Sequence, residues 1–266
     1  MHNKIFNAGQ FVLSLDQKTY VMGILNVTPD SFSDGGDYIC EDSALERAYE
    51  IQSQGADILD IGAQSTRPGH KIIDEKEELK KIIPVLMALK DKITIPISID
   101  TFYPNVAREC IKCGAHIIND VSGFRDNDMY NVMSTYNCGC IIMHDMQGVD
   151  IKPFFIDKLK DCEDRNIDKS RICFDPGIGF SKTYEENLYI INNLKDLIVE
   201  ECGILIGASR KRVIGQSCGD PPFKQRTAGT IAAHTIAIYN GANIIRAHDV
   251  KEAVQAAKVA DAILRS

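Results

Sequence analysis

Eight times along this chain a short apolar run ends on a polar or charged residue, usually with a glycine close by, and a helical pattern follows. With their closing residues the runs are Tyr20–Val27, Asp57–Gly62, Ile95–Thr101, His116–Gly123, Gly139–Asp145, Arg171–Phe180, Ile204–Ser209 and Ala242–Asp249. Parallel strands buried on both faces read this way. The helical patterns between them are Ser43–Gly55, Asp74–Lys90, Pro104–Cys113, Asn127–Tyr136, Phe155–Arg165, Tyr184–Leu197, Gln225–Tyr239 and Val250–Leu264. Asp42 or Ser43 suits the N-cap of the first, Pro104 suits a first helical position, and Pro84 predicts a kink or break in the second.

Eight strand–helix units in 266 residues predict an α/β fold, a single-domain (β/α)8 barrel of the TIM type. Gly9–Lys18 alternates and carries turn residues, which predicts a short N-terminal β-hairpin. The expected division is therefore a hairpin extension over 1–19 and a barrel domain over 20–266. The runner-up, an open doubly wound sheet, would want G-x-G-x-x-G after the first strand, and that motif is absent.

The net charge of −7 excludes generic binding to nucleic acid or an anionic membrane, so cations that meet an anionic substrate must be focused locally. No apolar run reaches the roughly 18 residues of a membrane span, and the first residues lack signal-peptide order. Nine cysteines without a framework read as reduced thiols in a cytoplasmic protein. Cys110-Ile-Lys-Cys113 lacks the second pair that a zinc site would use.

In a barrel the carboxyl ends of the strands share one rim, where active sites sit. The residues there are Asn26, the Ser65-Thr66-Arg67 loop, Asp100, Asn119, Met143 or His144, Asp175, Ser209-Arg210-Lys211, and Arg246 with His248. One Asp at a strand end is as readily a helix cap, and one Arg a surface charge; eight such endings on one rim are not so easily dismissed. Asp100, Asp175 and Asn119 suit a flat heterocycle with adjacent N–H donors, such as a guanine-like or pterin ring. Arg246 can stack on that ring. Arg67, Lys211, Arg246 and His248 imply an anionic ligand, and Asn26 offers the kind of oxygen that Mg²⁺ accepts.

In the same order, several segments resemble the dihydropteroate synthase family. Met22-Gly-Ile-Leu-Asn-Val-Thr-Pro-Asp-Ser-Phe-Ser-Asp-Gly-Gly36 looks like its amino-terminal signature, and Asp60-Ile-Gly-Ala-Gln-Ser-Thr-Arg-Pro-Gly69 like its second loop. Ser98–Thr101, Ile118–Gly123, Asp175–Phe180, Ser209–Lys211 and Arg246–Val250 follow. The resemblance covers about Tyr20 to the end. It implies condensation of a hydroxymethyl-dihydropterin diphosphate with 4-aminobenzoate, giving dihydropteroate and pyrophosphate in folate synthesis. It also implies a homodimer and inhibition by sulfonamides, which mimic aminobenzoate.

By this resemblance Asp100, Lys211 and Arg246 carry the chemistry. Asp100, Asn119, Asp175 and Lys211 hold the pterin, Arg246 packs on it, and Met143 and Phe180 line its pocket. Asn26 with Mg²⁺, Arg246, His248 and Thr66 meet the diphosphate. Phe32, Ser65, Arg67, Pro68 and Arg212 belong to the aminobenzoate side. Three departures stand out. Ala63 and Gln64 replace a more usual Gly and Glu, Asp145 is an extra residue in a Met-His-Met-Gln-Gly run, and Gly148–Arg171 is shorter than usual. The rival readings are a pterin-binding methyltransferase serving a corrinoid, which needs neither the first loop nor the diphosphate cations, and a barrel that binds without catalysis.

Overall fold

The computed structural model describes residues 4–27, 37–64, 72–199 and 202–266, with backbone alone for 37–41. Eight parallel strands close into a barrel: β3 (Tyr20–Asn26), β4 (Ile58–Gly62), β5 (Ile97–Asp100), β6 (Ile117–Asp120), β7 (Gly139–Met143), β8 (Ile172–Asp175), β9 (Gly203–Ile206) and β10 (Ile244–Ala247). Each pairs with the next, and β10 returns to β3 with Ile244 opposite Tyr20 and Arg246 opposite Met22. The (β/α)8 expectation therefore holds, and so does the two-stranded hairpin ahead of it: β1 (Ile5–Ala8) and β2 (Phe11–Ser14) pair antiparallel. The hairpin sits earlier than Gly9–Lys18. Gly9 is its turn, at φ +64, a conformation that favours glycine in tight two-residue connections.

Side chains alternate along each barrel strand, and the two series enter different cores. Outward residues such as Val21, Leu59, Ile99, Ile118, Ile142, Phe174, Ile206 and Ile245 pack under the helices. The inward residues Met22, Ile58, Ile117, Ile141, Cys173, Leu205 and Ile244 form a second core with Phe6, Ala8, Leu13 and Leu15 of the hairpin region. The hairpin thus plugs the amino end of the barrel. Gly139 and Gly203 make room for it: a Cβ on Gly139 would lie 2.8 Å from Phe6 Cζ, and one on Gly203 would lie 3.1 Å from Leu15 Cδ1. Thr19 joins the head of β3 to the last helix. Its amide and hydroxyl donate to Asp261 at 2.7 and 2.8 Å.

The helices are α1 (Asp37–Ser53), α2 (Glu75–Leu89), α3 (Pro104–Lys112), α4 (Asp128–Thr135), α5 (Ile151–Glu163), α6 (Tyr184–Asn192), α7 (Leu194–Leu197), α8 (Arg212–Ser217), α9 (Thr227–Tyr239) and α10 (Val250–Leu264). Helix α1 begins before Asp42 and Ser43, which lie inside it rather than at its cap; acidic and small polar residues are as acceptable in early turns. Pro84 does not break α2. Asp74 caps that helix by accepting from the Glu77 amide at 2.9 Å, and the buried face Ile82, Val85, Leu86 and Leu89 holds it on the barrel. The single helix expected over Tyr184–Leu197 is split at Asn193, whose side chain donates to the Tyr189 carbonyl at 2.8 Å. Helix α8 is too short to have given a periodic signal. On α9 and α10, Ile236, Tyr239, Val259 and Ile263 are exposed.

Candidate active site

Every rim residue that ends a strand on the inward series reaches the upper half of the barrel interior. Asn26, Asp100, Asn119, Met143, Asp175 and Arg246 all belong to it: Asp100 alternates with the outward Ile97 and Ile99, and each of the others is an even number of residues from an inward apolar side chain. Neighbouring polar residues do not. Asp120 faces outward and is used locally, its carboxylate accepting from the Ser122 amide at 2.6 Å; burial lifts it to about 6.

Arg246 is the centre of the set. Its Nε donates to Asp60 Oδ2 at 2.6 Å and its Nη2 to Asp100 Oδ2 at 2.8 Å, which fixes the plane of the guanidinium. Asp60 is fully buried, and its Oδ1 has no hydrogen-bond partner among the described residues; Ser98 Oγ and Asn119 Oδ1 share that condition. Desolvation lifts Asp100 to about 7, with Arg246 pulling the other way and Asp60 and Glu78 adding to the rise. Asp175 is raised by desolvation against the pull of Lys211, and its Oδ1 accepts from the Gly177 amide at 2.7 Å.

Lys211 arrives from a strained turn. Arg210 sits at φ +57, a left-handed conformation uncommon outside glycine, and is held there by Asp249, which accepts from its Nε at 2.9 Å, and by Thr230, whose hydroxyl accepts from its amide at 2.9 Å. Lys211 then caps α8 and turns inward, donating to the Ile178 carbonyl with its Nζ 4.3 Å from the centre of the Phe180 ring. Desolvation lowers its ammonium to about 8 against the opposing charge of Asp175. The set converges at Gly207: a Cβ there would meet Lys211 Nζ at 3.8 Å, Arg246 Cβ at 3.9 Å and Asp175 Oδ2 at 4.0 Å. Those are ordinary contact distances, so Gly207 marks the point on the barrel wall that all three side chains face.

The mouth is a cleft of roughly 1980 Å³, lined by Asn26, Asp100, Phe180, Lys211, Arg246 and His248 among others. That exceeds the ~300–1,000 Å³ of a usual small-molecule pocket and leaves room for two reactants. His248 is neutral rather than cationic. Desolvation, then Arg246 and Arg210, push it down to about 3, and its Nδ1 lies 3.0 Å from Ser209 Oγ. In the tautomer where Ser209 donates to Nδ1, Nε2 carries the hydrogen and offers an anion an N–H without a charge. Arg212 is exposed on the cleft wall, apart from the buried set. Phe32, Ser65, Thr66, Arg67 and Pro68 lie outside the described residues.

The extra residue Asp145 is anchored, accepting from Arg125 Nη2 at 3.0 Å and Ser181 Oγ at 3.3 Å, and the shortened segment after it still supplies a full helix, α5. Asp60, Ser98 and Gly207 escaped the list of rim endings because each lies within or just after an apolar run. Their position on the inward series would have found them. Among the described residues, no three His, Cys, Asp or Glu side chains are grouped to hold a metal, and no helix is long and apolar enough to cross a membrane.

Residues 22–248 match the family described as pterin binding enzyme. The dihydropteroate synthase of Clostridium beijerinckii is 42% identical over 268 residues, covering 97% of this chain and 98% of the relative. The fold is similar to that of the Clostridium difficile dihydropteroate synthase crystallised in the presence of pteroic acid, with a TM-score of 0.90 and 44% identity over 94% of this chain and 98% of that one. The Xanthomonas albilineans dihydropteroate synthase with 4-aminobenzoic acid matches with a TM-score of 0.93 and 36% identity over the full length of both.

Proposed function

That the chain belongs to the pterin-binding enzyme family, as a dihydropteroate synthase of folate synthesis, is the premise from which we propose how its residues work. It is a transferase that joins 6-hydroxymethyl-7,8-dihydropterin diphosphate to 4-aminobenzoate, giving 7,8-dihydropteroate and pyrophosphate. The convergence of Asp175, Lys211 and Arg246 at Gly207 carries the assignment of roles.

The pterin edge donates to Asp100 and Asp175 and meets the carboxamide of Asn119. Arg246, its plane fixed by Asp60 and Asp100, stacks on the ring. Phe180 and Met143 wall the pocket, and Lys211 donates to the ring's acceptors. The methylene–oxygen bond breaks with its electron pair leaving on the diphosphate. The ring delocalises the resulting cation, and the Asp100 carboxylate favours it. The amine of 4-aminobenzoate gives its lone pair to the methylene and then loses a proton. Arg246 and the neutral N–H of His248 hold the departing anion, while Arg212 on the cleft wall and the loops 28–36 and 64–69, with Phe32, Ser65, Arg67 and Pro68, meet aminobenzoate. Thr66 belongs beside the diphosphate.

Asn26 ends β3 at the mouth with a hard amide oxygen. That donor suits Mg²⁺, which takes few protein ligands when phosphate oxygens and water supply the rest. When bound there, the ion neutralises diphosphate charge. We further infer a cytoplasmic location, supported by eight free cysteines among the described residues, and a homodimer, supported by the exposed apolar side chains of α9 and α10.

The test is pyrophosphate release from pterin diphosphate with Mg²⁺, with and without 4-aminobenzoate, for the wild type and Lys211→Ala. Aminobenzoate-dependent release that falls at least ~100-fold in the variant is expected. A wild type whose release ignores aminobenzoate would overturn the reading.

A further inference from the structure

Gln64 lies two residues after β4 and lines the cleft. Its carboxamide uses both hydrogens and its oxygen. Nε2 donates to the Ile73 carbonyl at 3.0 Å and to Glu78 Oε2 at 2.5 Å, and Oε1 accepts from the Ile73 amide at 3.2 Å. Ile73 lies just ahead of α2, and its carbonyl also accepts from the Tyr103 hydroxyl at 3.0 Å. One side chain therefore mimics a strand partner for Ile73 while capping a carboxylate. That carboxylate, on the first turn of α2, is fully buried, and its Oε1 has no hydrogen-bond partner among the described residues.

The groups around Glu78 come from four directions. Its own helix supplies Lys81 and Glu75, the end of β5 supplies Asp100 and Thr101, α3 and its N-cap supply Cys110 and Tyr103, and the segment after β4 supplies Gln64. Desolvation raises Glu78, and the bonds from Thr101 and Gln64 oppose the rise. Asp100 in turn feels the charge of Glu78. A carboxylate in place of the amide could not make this pattern without a proton: two carboxyls in contact in a dry site hold one between them.

We propose that Gln64 is a positioning residue for the reaction. Its amide ties Ile73 to the segment just after β4 and caps Glu78 beside Asp100, and it needs no proton of its own to do so. The proposal rests on the reading that Asp100 holds the pterin, but one arm of its test does not.

Gln64→Ala, Gln64→Glu and the swap Gln64→Glu/Glu78→Gln separate the outcomes. Gln64→Ala should lose roughly tenfold in kcat/KM for the pterin diphosphate at every pH, the scale of a lost bond to a buried charged group. Gln64→Glu should match the wild type at acid pH and fall away as pH rises, adding a limb to the profile. The swap returns donor and acceptor to opposite sides and should remove that limb. Thermal unfolding followed against pH reads the same clamp without substrate. The shared proton gives the Gln64→Glu pair a folded-state pKa above the unfolded carboxyl value, so its contribution is full at acid pH and lost as pH rises through the folded value. Its Tm should therefore drop below that of the wild type on the alkaline side, and the swap should restore it. Superimposable Tm–pH curves for the wild type and Gln64→Glu, or an unchanged kcat/KM in Gln64→Ala, would overturn the proposal. A wild type without aminobenzoate-dependent product would instead overturn the assignment of function, leaving the Tm arm to stand or fall alone.

Discussion

The lower and upper halves of the barrel interior are made by the same strands, a few residues apart, and have opposite chemistry. Below, Met22, Ile58, Ile117, Ile141, Cys173, Leu205 and Ile244 close on the hairpin's Phe6 and Leu13, and the space is filled. Above, Asp60, Ser98, Asp100, Asn119 and Asp175 are buried around Arg246, and several of their polar atoms lack partners among the described residues. The lower half contributes folding free energy. The upper half gives some up, because a desolvated carboxylate or unpaired amide oxygen costs about 1–3 kcal/mol. The difference teaches where the strain of function is kept: one layer of inward side chains, backed by a dry plug.

This contrast can be broken at either end. Asp100→Asn should give the largest effect, a loss of kcat/KM of at least ~100-fold with little change in Tm, because Asp60 still pairs with Arg246. Phe6→Ala should do the reverse. Emptying the plug is expected to cost about 3–5 kcal/mol in denaturant unfolding, while kcat/KM per folded molecule stays unchanged. A large activity loss in Phe6→Ala, measured where the protein is folded, would erase the distinction between the halves. The smallest effect is the most specific. In the roles proposed above Asp100 acts ionised and Lys211 protonated, with values of about 7 and about 8. In the free enzyme kcat/KM for the pterin diphosphate should therefore climb through about pH 7 and decline above about 8, and Phe6→Ala should keep that shape.

The upper layer was largely legible in the sequence, since Asn26, Asp100, Asn119, Asp175, Lys211 and Arg246 end apolar runs or follow them. What hid Asp60, Ser98 and Gly207 is the burial of parallel strands on both faces, which makes an inward polar residue look like an interruption in a run. Counting in twos from Ile58 reaches Asp60, and from Leu205 reaches Gly207. The plug was less legible. A hairpin announces its turn, but nothing in Phe6 or Leu15 says that their partners come from β7 to β9, more than a hundred residues on. Helix α8 and the break at Asn193 were missed because both are too short for periodicity to speak. Gln64 looked like a lost charge, and only its contacts reveal a clamp.

Thr19 is bonded to Asp261, 242 positions away. A chain still leaving the ribosome cannot seal its cylinder, let alone tie Thr19 to that helix, until β10 has emerged and paired with β3. Until then β3 has no neighbour on one side, and neither does the strand most recently made, so two bare edges await partners. A copy stopped short of β10 would therefore be expected to stick to its siblings rather than survive as a weaker enzyme, and the cell's cost for an interrupted message would be aggregate.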